Sequence, residues 1–189
     1  MSEMSLFATV RGALATSAAA GLAVAVVLAV FGGKAISAQD KYTVQVPNGL
    51  SFSEFRGFED WATVAVSQSG DLIEVIVANP LMIEAYRAGV PGNGQPFPDG
   101  AKMAKIHWNI KKSAEAPAQT NVPDTLHDVD FMVRDSKRFA DGGNWGYAQF
   151  NYDAASDSFT PLGTGASCGF SCHTIVKAKD YVFTTYPKR

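Results

Sequence analysis

Alternation of apolar and polar residues is the clearest pattern in this chain, and it predicts β-strands. Residues 63–66 and 72–78 are rich in β-branched side chains, and the SQSGD segment between them has the composition of a turn. We therefore expect a β-hairpin there. Residues 101–110 alternate in the same way, and strand character returns at residues 127–133 and 145–152. The pattern predicts an antiparallel sheet.

A second periodicity, that of helices, occurs in two short segments. Four aromatic residues recur at helical spacing: Phe52, Phe55, Phe58 and Trp61. Further along, Asn79 and Pro80 form a helix start before residues 81–88, and Gly89 stands where a helix would end. A few helices beside an antiparallel sheet make an α+β domain.

The first 38 residues predict an export segment. Residues 12–33 are apolar, Ala-rich and free of charge, and the small residues that follow fit signal cleavage after Ser37 or Ala38. An uncharged run of about 20 residues is also long enough to span a bilayer, so an uncleaved membrane anchor stays open. Either way, residues 39–189 are expected to form one domain outside the cytoplasm.

Charge excludes one large class of partner. The formal net charge is −2, and the 16 Lys and Arg residues form no basic run. Proteins that bind nucleic acid need a concentrated basic surface. We therefore expect no nucleic-acid partner.

The chain contains two cysteines, and both lie in the segment CGFSCH at residues 168–173. A histidine directly after a closely spaced cysteine pair is typical of c-type haem attachment, because two thioethers fix the porphyrin and the adjacent imidazole reaches the iron. Three residues separate Cys168 and Cys172 instead of the usual two, a spacing that still places both on one helical face. A disulfide or two unrelated thiols remain alternatives, whereas a zinc site would need a further Cys or His pair. Haem, with His173 as iron ligand, explains the histidine as well.

Motifs spread over most of the chain resemble the cytochrome P-460 family of periplasmic c-haem proteins. They are FPDG at 97–100, VRDSKRFA at 133–140, NWG at 144–146, CGFSCH at 168–173 and DYVFT at 180–184. The resemblance implies a homodimer built on an antiparallel sheet, with one five-coordinate haem per chain. It also implies an open iron face that meets small nitrogen compounds.

The resemblance assigns two further residues. The family's lysine that becomes cross-linked to the porphyrin matches Lys105, while Lys102 would face the other side of its strand. The family's distal carboxylate, a glutamate in hydroxylamine oxidisers, falls at Asp130. Judged by residue type alone, Lys105 would be a solvated lysine and Asp130, like Asp128, an exposed carboxylate.

Three functions follow, from different classes. In the first, hydroxylamine binds the haem iron opposite His173 and is oxidised to nitrous oxide or nitric oxide, Asp130 takes a proton, and an external acceptor takes the electrons. In the second, a relative of cytochrome c-prime-beta binds nitric oxide or carbon monoxide without turnover. The third is an electron carrier with a methionine as sixth iron ligand. Residues that could supply a sixth ligand, but that no pattern assigns, are Met82, Met103, Met132, His107 and His127.

Overall fold

The computed structural model describes residues 39–47, 49–162 and 165–189, with the backbone alone for residues 165–168. The predicted export segment, residues 1–38, lies outside these ranges. Within them, no helix is both long enough and apolar enough to cross a membrane.

A six-stranded antiparallel sheet dominates the described domain, and it confirms the predicted α+β class. Each strand pairs with the next one along the chain, so the sheet is a simple meander. The strands are β1 (Ala62–Ser69), β2 (Leu72–Ala78), β3 (Lys102–Lys112), β4 (Asn121–Arg134), β5 (Trp145–Asp153) and β6 (Ser158–Pro161). Helices α1 (Pro80–Arg87) and α2 (Gly165–His173) flank them. Short 3₁₀ helices lie at Lys41–Thr43, Phe52–Phe55, Phe58–Asp60, Ala140–Gly142 and Thr174–Lys179.

Helix α1 begins as predicted, with Asn79 as N-cap and Pro80 in the first turn. The Asn79 carboxamide oxygen accepts hydrogen bonds from the backbone N–H groups of Met82 and Lys102, at 3.1 Å each. Its amide nitrogen donates to the Gly100 carbonyl at 2.9 Å. One side chain therefore caps the helix and ties it to the start of β3.

The predicted aromatic helix was wrong. The chain instead forms two separate 3₁₀ turns, Phe52–Phe55 and Phe58–Asp60. Gly57 lies between them with φ +82°, a left-handed conformation that ends a helix and that glycine adopts without strain. The aromatic rings still point to one side, because each 3₁₀ turn brings back the same face after three residues.

One face of the sheet forms a phenylalanine-rich core. Phe52 is fully buried and packs its ring 4.8–5.9 Å from four others, those of Phe58, Phe131, Phe150 and Phe159. The N-terminal segment from Val44 to Phe58 covers this face. Burying one such aromatic side chain stabilises the fold by roughly 2–3 kcal/mol.

The opposite face of the sheet is covered by α1, the loop around Phe97 and the C-terminal segment. Residues that lie directly opposite each other on neighbouring strands share a face. Met103 pairs with Met132 and Lys105 with Asp130, so these four side chains belong to this second face. This second face therefore carries Lys105 and Asp130, the two residues assigned by the resemblance.

Candidate functional site

A cavity of about 400 Å³ opens between the second face of the sheet and the C-terminal segment. Four of the residues assigned from the sequence line it together: Lys105, Asp130, Cys172 and His173. They come from β3, β4 and α2, and are separated by up to 68 positions between Lys105 and His173. The fold thus brings the predicted residues into one site.

His173 ends α2 and is held in a defined orientation. Its Nδ1–H donates to the Tyr181 carbonyl at 2.6 Å, which leaves Nε2 as the nitrogen with a free lone pair. The ring lies 5.0 Å from the ring of Tyr147 and 4.9 Å from that of Phe183. Burial lowers the pKa of His173, so the imidazole is neutral near pH 7. A neutral imidazole with one nitrogen hydrogen-bonded to a carbonyl is the usual state of a histidine that binds a metal.

The backbone after α2 is shaped to place that carbonyl. Asp180 and Tyr181 both have positive φ, +50° and +63°, and the chain folds back there toward His173. The Asp180 carboxylate fixes the turn by accepting a hydrogen bond from the Phe97 backbone N–H at 2.8 Å. Positive φ at two consecutive residues other than glycine is uncommon and often marks a functional segment.

Cys172 lies next to His173, and its exposed thiol lines the cavity. Cys168 belongs to the same helix one turn earlier, although its side chain is outside the described part. Gly169, between them, packs against Tyr147 of β5. A Cβ atom there would be 2.4 Å from the Tyr147 ring, so only glycine lets α2 approach the sheet this closely.

Lys105 extends into the cavity from β3, and its Nζ lies 2.9 Å from Oε1 of Glu74 on β2. The neighbouring Lys102 is on the other face of the sheet, where its Nζ donates to the Glu54 carbonyl at 2.6 Å. The predicted separation of the two lysines is confirmed. Lys105 is about one-third exposed and is paired, so it is not simply a solvated lysine.

Asp130 lies between Lys105 and Gln149 in the sheet and has no ion-pair partner of its own among the described contacts. Burial raises its pKa to about 6, against the opposing attraction of His107. A carboxyl group with a pKa near 6 exchanges protons readily at neutral pH, as a general base must.

Three buried groups lie beside these residues: Glu74, His107 and Asp128. Sequence reasoning did not place them in the site, and it misread the burial of Asp128. Asp128, expected to be exposed, is only 3% exposed. Burial raises its pKa, but hydrogen bonds from His107 and His127 outweigh that effect and leave the pKa below its usual range. Glu74 is also buried, and hydrogen bonds from Lys105 and Ser67 likewise outweigh burial and lower its pKa. The period-2 pattern places Asp128 on the same face of β4 as Asp130, and His107 on the same face of β3 as Lys105. Only the strand register shows that Glu74 lies next to them.

The cavity fits a flat, largely apolar cofactor with one axial ligand. Its volume lies within the range of small-molecule sites, roughly 300–1,000 Å³. Leu162 and Phe183 line it, yet each is 48% exposed, so apolar surface there is available for a ligand to cover. With a free imidazole nitrogen and a thiol beside it, the site has the donors that haem needs.

The site therefore defines a haem-binding protein. The family model for Cytochrome P460 matches residues 55–184, which include β2, β3 and β4, the three strands that carry the ionisable side chains of the site, and the whole CGFSCH segment. The chain belongs to the cytochrome P460 family, and with it comes haem iron as the expected cofactor. No curated protein matches the chain.

Proposed function

We propose that this protein is an exported c-type cytochrome whose haem is attached through Cys168 and Cys172, with His173 as iron ligand. The position of Cys172 beside the oriented, neutral His173 supports this assignment. Placement of both cysteines in α2, one turn apart, lets two thioethers form on one side of a helix. The expected iron ligand and both attachment points then lie within a six-residue segment.

We further propose that the cytochrome oxidises hydroxylamine, and one observation carries this proposal: Asp130 is a partly buried carboxyl group that lines the same cavity as His173. Haem held by Cys168, Cys172 and His173 would supply a redox-active iron, through which hydroxylamine could be oxidised with an external electron acceptor. Oxidation releases a proton with each electron. Asp130 is placed to accept those protons, and its raised pKa makes it a stronger base than an ordinary aspartate.

The direct test is the Asp130→Ala variant of the holoprotein, assayed for hydroxylamine oxidation with an artificial electron acceptor. We expect loss of turnover by about 100-fold or more, the usual effect of removing a general base, with haem content unchanged. Asp124→Asn is a matched control, because Asp124 is an exposed carboxylate on the same strand, paired with Lys111 at 3.0 Å. Full turnover in Asp130→Ala would refute the assignment of the base.

A second candidate function is favoured by the ion pair between Lys105 and Glu74. Attack on a porphyrin needs a lysine nitrogen with a free lone pair, whereas the Lys105 Nζ is engaged by Glu74 Oε1 at 2.9 Å. A haem without the cross-link would make the protein similar to cytochrome c-prime-beta, which binds nitric oxide or carbon monoxide. Such a protein would hold the same haem and the same His173 but would not turn over hydroxylamine.

The absorption spectrum of the purified protein separates these candidates. A ferrous Soret band displaced far to the red indicates the cross-link, and mass spectrometry would then find haem joined to the peptide that contains Lys105. An ordinary c-type Soret band together with tight nitric oxide binding supports the second candidate. A six-coordinate ferric spectrum would instead favour the electron carrier, for which Met103 and Met132 line the cavity as potential sixth ligands.

Export and dimer formation belong to the proposal as well. N-terminal sequencing of the protein from the periplasmic fraction tests cleavage after Ser37 or Ala38. Sedimentation of the holoprotein tests the expected homodimer. A membrane-bound protein that retains residues 1–38 would identify the segment as an anchor.

A further inference from the structure

A second row of ionisable residues lies on the cavity face of the sheet, next to the row of Lys105 and Asp130. Glu74, His107 and Asp128 lie opposite one another on β2, β3 and β4. Each of the three is less than a tenth exposed. Burying several titratable groups together is unfavourable unless each has a partner. One carboxylate and one imidazole already make a pair, so the presence of a third group calls for a further role.

A β-bulge adds a fourth group to this row. β4 has one extra residue, His127, between the partners of His107 and Trp108. The bulge lets the His127 ring reach the carboxylate of its neighbour Asp128, although adjacent residues of a regular strand point to opposite faces. The His127 side chain is 49% exposed. It therefore links the buried row to solvent.

The four side chains form a line of alternating carboxylates and imidazoles. Glu74, which lines the cavity, has its Oε1 3.6 Å from His107 Nε2. His107 Nδ1–H donates to one oxygen of Asp128, and His127 Nδ1 contacts the other oxygen, as donor or acceptor according to the tautomer of its ring. Atoms of His107, Asp128 and Asp130 also lie within 4.8 Å of one another, a gap that one water molecule can bridge. The line thus runs from the cavity to the surface.

The same atoms could be considered as ligands for a divalent cation, but the geometry favours protons. Both ring nitrogens of His107 face carboxylates, one bonded to Asp128 and the other 3.6 Å from Glu74. A metal would have to displace one of these contacts to reach a lone pair.

We propose that His107, Asp128 and His127 conduct protons between Asp130, inside the cavity, and bulk solvent; this rests on the proposed function, in which Asp130 collects protons. In the outward direction the O–H bond of Asp130 breaks and an N–H bond forms on His107, by way of the bridging water. His107 passes its Nδ1 proton to Oδ1 of Asp128. After the carboxyl group rotates, that proton goes to Nδ1 of His127 in its Nε2–H tautomer, and the Nε2–H bond of His127 breaks to release a proton to the buffer. One proton leaves the cavity for each that enters the buffer, and no residue is oxidised or reduced.

The start of this route is suited to transfer in both directions. Burial raises the pKa of Asp130 to about 6, so this carboxyl group binds and releases protons near neutral pH. The Asp128 carboxylate, whose pKa is held below its usual range, carries the proton only in passing between two imidazoles.

The test is a rapid pH change on the ferric holoprotein without hydroxylamine. Protonation of Asp130 is followed by its carboxyl infrared band, which is assigned by its loss in Asp130→Asn. In His127→Gln we expect the protonation rate to fall by about tenfold or more, and to recover when imidazole is added to the buffer. Asp124→Asn, an exposed charge on the same strand, should leave the rate unchanged. In His107→Gln the rate should also fall, without recovery, because imidazole cannot reach that buried position.

Three results would overturn the proposal: an unchanged rate in His127→Gln, a slowed rate that ignores imidazole, or a stoichiometric metal besides iron in the purified protein. The first excludes the route and the second indicates a purely structural histidine. The third indicates a metal site. Because hydroxylamine is absent, the result does not depend on turnover, and a wild-type protein that fails to oxidise hydroxylamine would refute the proposed function without deciding the route.

Discussion

Replacing Asp130 by asparagine should stabilise the protein while abolishing its proposed activity. Asparagine keeps the shape of the side chain and removes its charge. Burial raises the pKa of Asp130 from 3.8 to about 6, which means that the fold disfavours the carboxylate. At about 1.4 kcal/mol for each tenfold change in proton affinity, the charged form lowers the free energy of unfolding by about 3 kcal/mol.

The pH dependence follows from the direction of this change. Between pH 3.8 and about 6 the folded protein binds more protons at Asp130 than the unfolded chain does, so stability falls as pH rises through this window. The penalty is complete above about pH 6 and absent below 3.8. Asp130→Asn should therefore gain roughly 2–3 kcal/mol over wild type at pH 8, and the gain should shrink toward zero at pH 4.

Urea unfolding of both holoproteins across this pH range, followed by circular dichroism, measures the difference directly. Glu74 and Asp128 have pKa values below their usual range in the folded protein, so stability from them is lost as pH falls, but both residues are present in the two proteins and their contributions largely cancel. Asp124→Asn removes a surface ion pair and should change stability by about 1 kcal/mol or less. A variant that is less stable than wild type at pH 8, or a gain that persists at pH 4, would show that burial does not control this carboxyl group.

Three further predictions concern the parts that hold the site. In Gly169→Ala the new methyl group meets the Tyr147 ring at 2.4 Å and pushes α2 from β5, so the ratio of haem to protein absorbance should fall; a normal ratio would contradict this. His173→Gly should lose the ferric spectrum of the wild type and regain it with added imidazole, and a spectrum indifferent to imidazole would argue against His173 as ligand. Asn79→Ala should lower the free energy of unfolding by about 2 kcal/mol in urea, with an unchanged haem spectrum, because it removes the cap of α1 and the bond to Lys102; a changed spectrum would link α1 to the site.

Local chemistry made part of this fold predictable. Alternation located the central strands, and Asn79 with Pro80 located α1, because these signals act within a few residues. The short edge strand β6 escaped prediction, since four residues give too little alternation to recognise. The aromatic segment misled because its spacing reflects burial against the sheet, and burial does not require an α-helix.

The site was predictable to a different extent. The CGFSCH segment indicates haem attachment by itself, whereas Lys105 and Asp130 were assigned by resemblance to a family. Glu74 and His107 had no signal of their own, because their role depends on partners 33 and 21 positions away across the strands. The bulge at His127 was likewise invisible, since nothing in the sequence around it departs from an ordinary strand.

The pairing register of β3 and β4 determines both which residues enter the apolar core on one face of the sheet and which residues enter the site on the other. Lys105 lies opposite Asp130, while their neighbours Ala104 and Phe131 lie opposite each other in the phenylalanine-rich core. A slip of one residue between β3 and β4 would put a charged side chain into that core and a phenylalanine into the cavity. Such a slip would lower the free energy of unfolding by roughly several kcal/mol, because it would bury an unpaired charge and also remove an aromatic side chain from the core. The apolar core therefore fixes the register, and the register in turn places Asp130 opposite Lys105 and Asp128 opposite His107 on the face that carries the site.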